Sequence, residues 1–212
     1  MYHYTGMIFD LDGVICSTDE YHYRAWKALA DRLSIPFDRE RNNLLRGVSR
    51  MESLEIILEK SGRAWTDADK ARFAEEKNTR YRELLSGMTP ADLPEDVGST
   101  LEKLRRAGLK LAIGSSSKNT MFILERLGLG AFFDAVADGN CITRSKPDPE
   151  VFLKAAELLG LAPADCLVTE DARAGVAAAI AGGFDCAAMG DARDDPRAKY
   201  HIDRLSDLLR VL

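Results

Sequence analysis

Asp10 and Asp12 stand one residue apart in Phe9-Asp-Leu-Asp-Gly-Val14, directly after the apolar run Met7-Ile8-Phe9. Two carboxylates at the end of a hydrophobic strand repel one another, and partial burial raises the cost of ionising each. A cation, or a reaction that uses them, accounts for such a pair. Gly13 then lets the backbone turn sharply. Alone, the run also reads as a strand entering an Asp-Gly turn. Three later segments shift that balance. Ser115-Ser-Ser-Lys-Asn119 follows a second apolar run and opens a helical stretch. Hydroxyls and free N–H groups there make a phosphate site, although the same turn also serves as an ordinary helix cap. Lys146 sits in Arg144-Ser-Lys-Pro-Asp-Pro149, a segment stiffened by two prolines; alone, it reads as a solvated surface lysine. Glu170-Asp171 is a second acidic pair closing a strand. Together the two pairs supply hard oxygen ligands to a cation such as Mg²⁺, while Ser115 and Lys146 hold a phosphate beside it. A carboxylate so placed can act as a nucleophile, because cation and lysine neutralise the phosphoryl oxygens it must approach.

All four clusters fall at the ends of short apolar runs, near 7–10, 109–115, 135–138, 167–171 and 187–190. Helical spacing lies between the later runs, over 95–107, 118–127, 149–159 and 172–181, with Gly108, Gly128, Gly160 and Gly182 as stops. Alternating strands and helices predict a doubly wound α/β fold with a parallel sheet, whose ligands bind outside the carboxyl ends of the strands. From about Ser17 to Gly87 the alternation stops and the pattern is helical throughout. Tyr23, Trp26, Leu29, Ala30 and Leu33 share a face, as do Leu54, Ile57 and Leu58, so this stretch reads as a small helical bundle inserted after the first strand. Its tyrosines and Trp26 read as bundle core. The hinges fall near 15–18 and 86–94, the second rich in Gly and Pro.

At 212 residues, 46% apolar and 30% charged, the chain suits one soluble core carrying a smaller inserted domain. The net charge of −5 disfavours nucleic acid, so an anionic small substrate needs local positive charge. No apolar stretch is long enough to cross a bilayer, and Met1-Tyr-His-Tyr4 carries no secretory signature. The four cysteines lack CxxC spacing and read as reduced thiols of a cytoplasmic protein. Nothing requires more than a monomer.

In these segments the chain resembles the haloacid dehalogenase superfamily of phosphotransferases, over almost its whole length. The likeness rests on Phe9–Ile15, Glu20-Tyr-His-Tyr-Arg-Ala-Trp26, Arg46-Gly-Val-Ser-Arg50, Lys77-Asn78, Gly114–Asn119, Lys146-Pro147 and Thr169-Glu-Asp-Ala172. The segments around His22, Arg50 and Lys77 are narrower, and resemble the branch that interconverts β-glucose 1-phosphate and glucose 6-phosphate through a bisphosphate. The resemblance implies a Rossmann-like core over 1–16 and 88–212 and a helical cap domain over 17–87. It implies Asp10 as the nucleophile that becomes an aspartyl-phosphate and Asp12 as general acid and base. Mg²⁺ would be held by Asp10, the Asp12 backbone carbonyl and Asp171, with Glu170 near or in the shell. Ser115 and Lys146 would bind the transferring phosphate, and Arg50 the sugar's other phosphate. His22 and Lys77 would shape the sugar site, Thr18 would lie near the hinge, and Ser117 and Asn119 at the cap–core boundary. Departures from the pattern are Ser17, where an acidic residue is common, Thr169, where a bulky apolar one is usual, and Glu95-Asp-Val-Gly98 in place of a Pro-Gly helix start. None removes a catalytic group.

The rival reading is a phosphatase of the same superfamily acting on a small phosphate monoester. It would use the same core residues, so Arg50 is what separates the two. A silent sugar-phosphate binding protein has no use for a nucleophile beside an acid/base.

Overall fold

The computed structural model describes residues 3–45 and 48–211. Arg46 and Gly47 of the segment before Arg50, and the domain limits at residues 1 and 212, lie outside them. The chain divides into two compact units, one of Met1–Ser17 with Thr89–Leu212, the other of Thr18–Met88.

Strand β1 (Gly6–Phe9) leads into the helical unit of α1 (Asp19–Arg32), α2 (Arg39–Asn43), α3 (Arg50–Leu58) and α4 (Asp67–Leu85). Local chemistry sets the helix starts. Ser49 and Glu52 form a capping box at α3, Thr66 and Asp69 form one at α4, and Asp38 accepts from the Arg41 N–H at α2. The apolar faces read from the sequence meet in one core of Trp26, Leu29, Ala30, Leu54, Ile57, Leu58 and Phe73, with Tyr23 and Leu33 at its margin. The Arg32–Glu76 pair on its surface is exposed and adds little stability.

The remaining elements are α5 (Glu95–Arg106), β2 (Lys110–Gly114), α6 (Thr120–Arg126), β3 (Ala135–Ala137), α7 (Glu150–Leu159), β4 (Cys166–Glu170), α8 (Arg173–Ala181), β5 (Asp185–Ala188), β6 (Tyr200–His201) and α9 (Leu208–Val211). The six strands form one parallel sheet in the order β3-β2-β1-β4-β5-β6. Ile8, Ala112 and Val168 pack with Phe152, Ala155, Val176 and Phe184 on one face. Met7, Phe9, Leu111, Ile113 and Leu167 alternate to the other face and are equally buried. Burial on both faces is why these strands read as unbroken apolar runs. Chain order reverses at β1, which places the ligand crevice at its carboxyl end.

Three local expectations shift. Helix α6 starts at Thr120 instead of Lys118, because the Ser115 and Ser117 hydroxyls accept the Ser117 and Asn119 N–H groups and hold that stretch as a turn. Gly182 follows α8 in a right-handed conformation, and the left-handed stop is Gly183 (φ 80°). Strand β6 was not expected; two residues are too short to show a period. The four cysteines are free, and no described helix is long and apolar enough to cross a membrane.

Candidate active site

Phe9 pairs with Ile113 on one side and Thr169 on the other. The next residue along each chain therefore stands at one level, which brings Asp10 beside Gly114 and Glu170, the last residues of β2 and β4. The Asp10 N–H donates to the Thr169 carbonyl at 3.0 Å, extending the ladder one step. Lys146, from the loop before α7, reaches this edge. Its Nζ donates to Asp10 Oδ1 at 2.5 Å and to Glu170 Oε1. Side-chain exposures of 4% for Lys146, 12% for Asp10 and 1% for Glu170 make these buried ion pairs, in which removing either partner leaves a costly unpaired charge. The ammonium also lies 4.6 Å from the centre of the Phe152 ring.

Asp10, Glu170 and Asp171 each offer an oxygen, all within 4.8 Å of one another. Burial, then the charges of Asp10, Glu170 and Asp12, push the Asp171 carboxyl up to about 8. Burial raises Glu170 as well, against the opposing pull of Lys146. For Lys146 itself, burial favours the neutral amine, but Asp10 and Glu170 outweigh it and hold the ammonium above its usual range. Three carboxylates thus face one ammonium. An all-oxygen cluster with surplus negative charge fits a hard divalent cation, which would relieve the repulsion that the lysine leaves.

Glycines make the room. Gly13 turns with φ 84°, and a Cβ there would lie 1.9 Å from Asp171 Oδ2. Gly175, in the first turn of α8, would place a Cβ 1.9 Å from Glu170 Oε1. Glu170 cannot swing aside, because Lys146 holds one oxygen and the Asp171 and Ala172 N–H groups hold the other at 3.0 Å each. Gly175→Ala should destabilise the protein by about 1–3 kcal/mol, as overpacking does, and lose divalent-ion binding. Chemical denaturation and an ion titration test this; an unchanged unfolding midpoint with intact ion binding would show that Glu170 is free to move.

Asp12 sits in the turn after β1, bridged to Cys16, and its charge contributes to the raised pKa of Asp171. Ser115 follows β2 and is buried, its N–H bonded to the Ala137 carbonyl. Ser117 and Asn119 continue the same turn.

In the helical unit Glu76 takes Arg32, and Lys77 is buried. Its Nζ bonds His22 Nδ1 at 2.8 Å and lies 4.4 Å from the Tyr81 ring centre and 4.7 Å from that of Trp26. Burial first, then Lys77 and Arg50, hold the His22 imidazole well below its ordinary pKa, hence neutral at pH 7. Tyr81 donates to Thr18 Oγ1 at 2.9 Å. Arg50, partly buried at the start of α3, donates to Asn78 Oδ1 at 2.9 Å. The structure thus brings Asp10, Lys146, Glu170 and Asp171 together at the sheet edge, and His22 with Lys77 in the helical unit.

A family profile described as haloacid dehalogenase-like hydrolase matches residues 4–183. The chain belongs to this family. Among its relatives, the chain is 42% identical over 204 residues to the β-phosphoglucomutase of Bacillus subtilis, covering 95% of this chain and 90% of that one. It is 33% identical over 183 residues to the fructose-1-phosphate phosphatase YqaB of Escherichia coli, covering 86% and 94%. The crystal structure of a β-phosphoglucomutase from Clostridium difficile superposes with a TM-score of 0.90 at 36% identity, over 97% of this chain and 93% of that one.

Around the acidic cluster of this haloacid dehalogenase-like chain stand residues that the sequence did not single out. Phe152 looks like any core aromatic of α7, and Gly175 like a small residue of an Ala-rich helix. In the helical unit Asn78, which accepts from Arg50, entered the sequence reading only with Lys77 as part of the resemblance. A glycine inside a helix was the one mark that could have pointed to Gly175.

Proposed function

We propose that the protein is a phosphosugar mutase of the cytoplasm, interconverting β-glucose 1-phosphate and glucose 6-phosphate through an aspartyl-phosphate on Asp10. The supporting observation is the Asp10 carboxylate at the carboxyl end of β1, 2.5 Å from Lys146 Nζ and within 4.8 Å of two further carboxylates, in a chain 42% identical to a β-phosphoglucomutase.

Phosphoryl transfer requires in-line placement and charge neutralisation. Asp10 attacks the phosphorus of a sugar phosphate, and Asp12 protonates the departing sugar oxygen. In the reverse sense Asp12 takes the proton of the accepting hydroxyl while the aspartyl-phosphate gives up its phosphoryl group. Alternation along the strand and the turn at Gly13 let Asp10 face phosphorus while Asp12 faces the sugar. Lys146 and Ser115 hold the phosphoryl oxygens. Asp10, Asp171 and the Asp12 carbonyl, with Glu170 beside them, would hold Mg²⁺, which when bound supplies charge neutralisation at the phosphoryl group. Glu170 also anchors the turn that presents Asp171 and fixes Lys146. Arg50 takes the sugar's second phosphate, His22 and Lys77 shape the sugar site, and Thr18, Ser117 and Asn119 assist. A mutase must also keep water from the aspartyl-phosphate while the bisphosphate turns round.

The likeness to a fructose-1-phosphate phosphatase favours hydrolysis as the second reading. The product separates the two. With Mg²⁺ and a trace of β-glucose 1,6-bisphosphate, the protein should form glucose 6-phosphate from β-glucose 1-phosphate faster than it releases inorganic phosphate. Free phosphate as the main product would favour the phosphatase.

A further inference from the structure

Asp195 is 1% exposed in a loop whose neighbours Arg193, Asp194 and Arg197 face solvent. An ionised carboxylate is costly to bury unless it is paired and hydrogen-bonded. Here the Arg197 fork donates from Nε to Oδ1 at 2.9 Å and from Nη2 to Oδ2 at 2.6 Å, and the Arg197 N–H adds a bond at 3.1 Å. The Arg173 guanidinium stands 3.7 Å from Oδ2. Arg197, foremost, holds the Asp195 carboxyl down to about 2, so the pair stays ionised through the physiological range.

The arrangement ties two pieces of chain together. Arg173 opens α8 two residues after Asp171, and Arg197 Nη2 also donates to the Arg173 carbonyl at 3.3 Å. The same loop grips the acidic pair through its backbone. The Met189 N–H donates to the Glu170 carbonyl and the Ala192 N–H to the Asp171 carbonyl, both at 2.8 Å, and Asp195 folds back onto the Ala192 carbonyl at 2.9 Å. Gly190 lies against Asp171, where a Cβ would stand 3.3 Å from Asp171 Cβ. The strap over 189–197 therefore holds the main chain of Glu170 and Asp171 from one side, and Asp195 is the buried fastening at its far end.

We propose that Asp195, clamped by Arg197 and Arg173, is a positioning residue that sets the Glu170–Asp171 turn for its divalent cation. The inference rests on the metal reading of the acidic cluster. Outer partners of metal ligands commonly change metal affinity by 10–100-fold when removed.

The test is Mn²⁺ titrated into the full-length protein, with free ion read by electron paramagnetic resonance and thermal midpoints recorded without metal. Asp195→Leu should weaken Mn²⁺ binding by about tenfold, and Asp195→Asn, which keeps one acceptor for Arg197, by about threefold. The Mg²⁺ concentration for half activity should rise in step, while the KM for the sugar phosphate stays near that of the wild type. A lowered thermal midpoint with a Mn²⁺ constant within about twofold of wild type would assign Asp195 to folding alone. Should the leucine variant not fold, Arg197→Lys keeps a cation on Asp195 but loses the fork that also reaches Arg173. Weaker Mn²⁺ binding there supports the clamp, and an unchanged constant overturns it. Wild-type protein that takes up no Mn²⁺ overturns the metal reading itself, an outcome distinct from variants that bind as the wild type does.

Discussion

Asp10→Asn should abolish turnover, with a loss on the order of 10⁴-fold or more in kcat, the scale seen when a covalent nucleophile is removed. Asparagine has nearly the same shape, so the variant should fold, and Lys146 retains Glu170 as a partner. The amide lacks the negative oxygen that attacks phosphorus. Incubation with a labelled phosphoryl donor should mark the wild-type chain and leave the variant unmarked after rapid quenching. Label retained on the variant would place the nucleophile on another residue. Unlabelled wild-type chain that still turned over would mean transfer without a covalent intermediate.

Arg50→Ala should separate mutase from hydrolase chemistry. Burial lowers the Arg50 pKa, a sign that its guanidinium is partly stripped of water, and charge-assisted bonds to phosphate strengthen in such surroundings. Losing it should lower kcat/KM for β-glucose 1-phosphate by roughly 10²-fold, about 3 kcal/mol, while hydrolysis of an aryl phosphate stays within a few-fold. The aryl substrate has a single phosphate and makes no use of Arg50. Arg50→Lys should recover only part of the loss, since lysine lacks the planar fork. Equal damage to both reactions would remove the case for a second phosphate site and return the phosphatase to first place.

Much of the architecture was legible because burial on both faces of a parallel sheet writes itself as apolar runs, and helices between them write a second period. The start of α6 was misplaced because serine hydroxyls can take backbone N–H groups in either a turn or a helix cap, and composition does not say which. Lys77 illustrates the same limit in the helical unit. Its chain neighbours Glu75 and Glu76 do not show that it lies buried against His22, Trp26 and Tyr81. Which side of a helix faces inward depends on partners far away in the chain.

The order of residue types along the chain was enough to determine the α/β class and the helical insertion, and to pick out candidates for chemistry. Aspartates at a strand end, a lysine among prolines and an acidic pair are properties of composition and local spacing. Only the tertiary structure decided that Lys146 bridges Asp10 and Glu170, that Gly175 clears the space for Glu170, and that Asp195 and Arg197 meet Arg173 just after Asp171. Those contacts join segments 20 or more residues apart in the chain, or depend on ångström-scale clearances. Hydrophobic patterning sets which faces are buried, but sheet register and loop closure set which atoms meet.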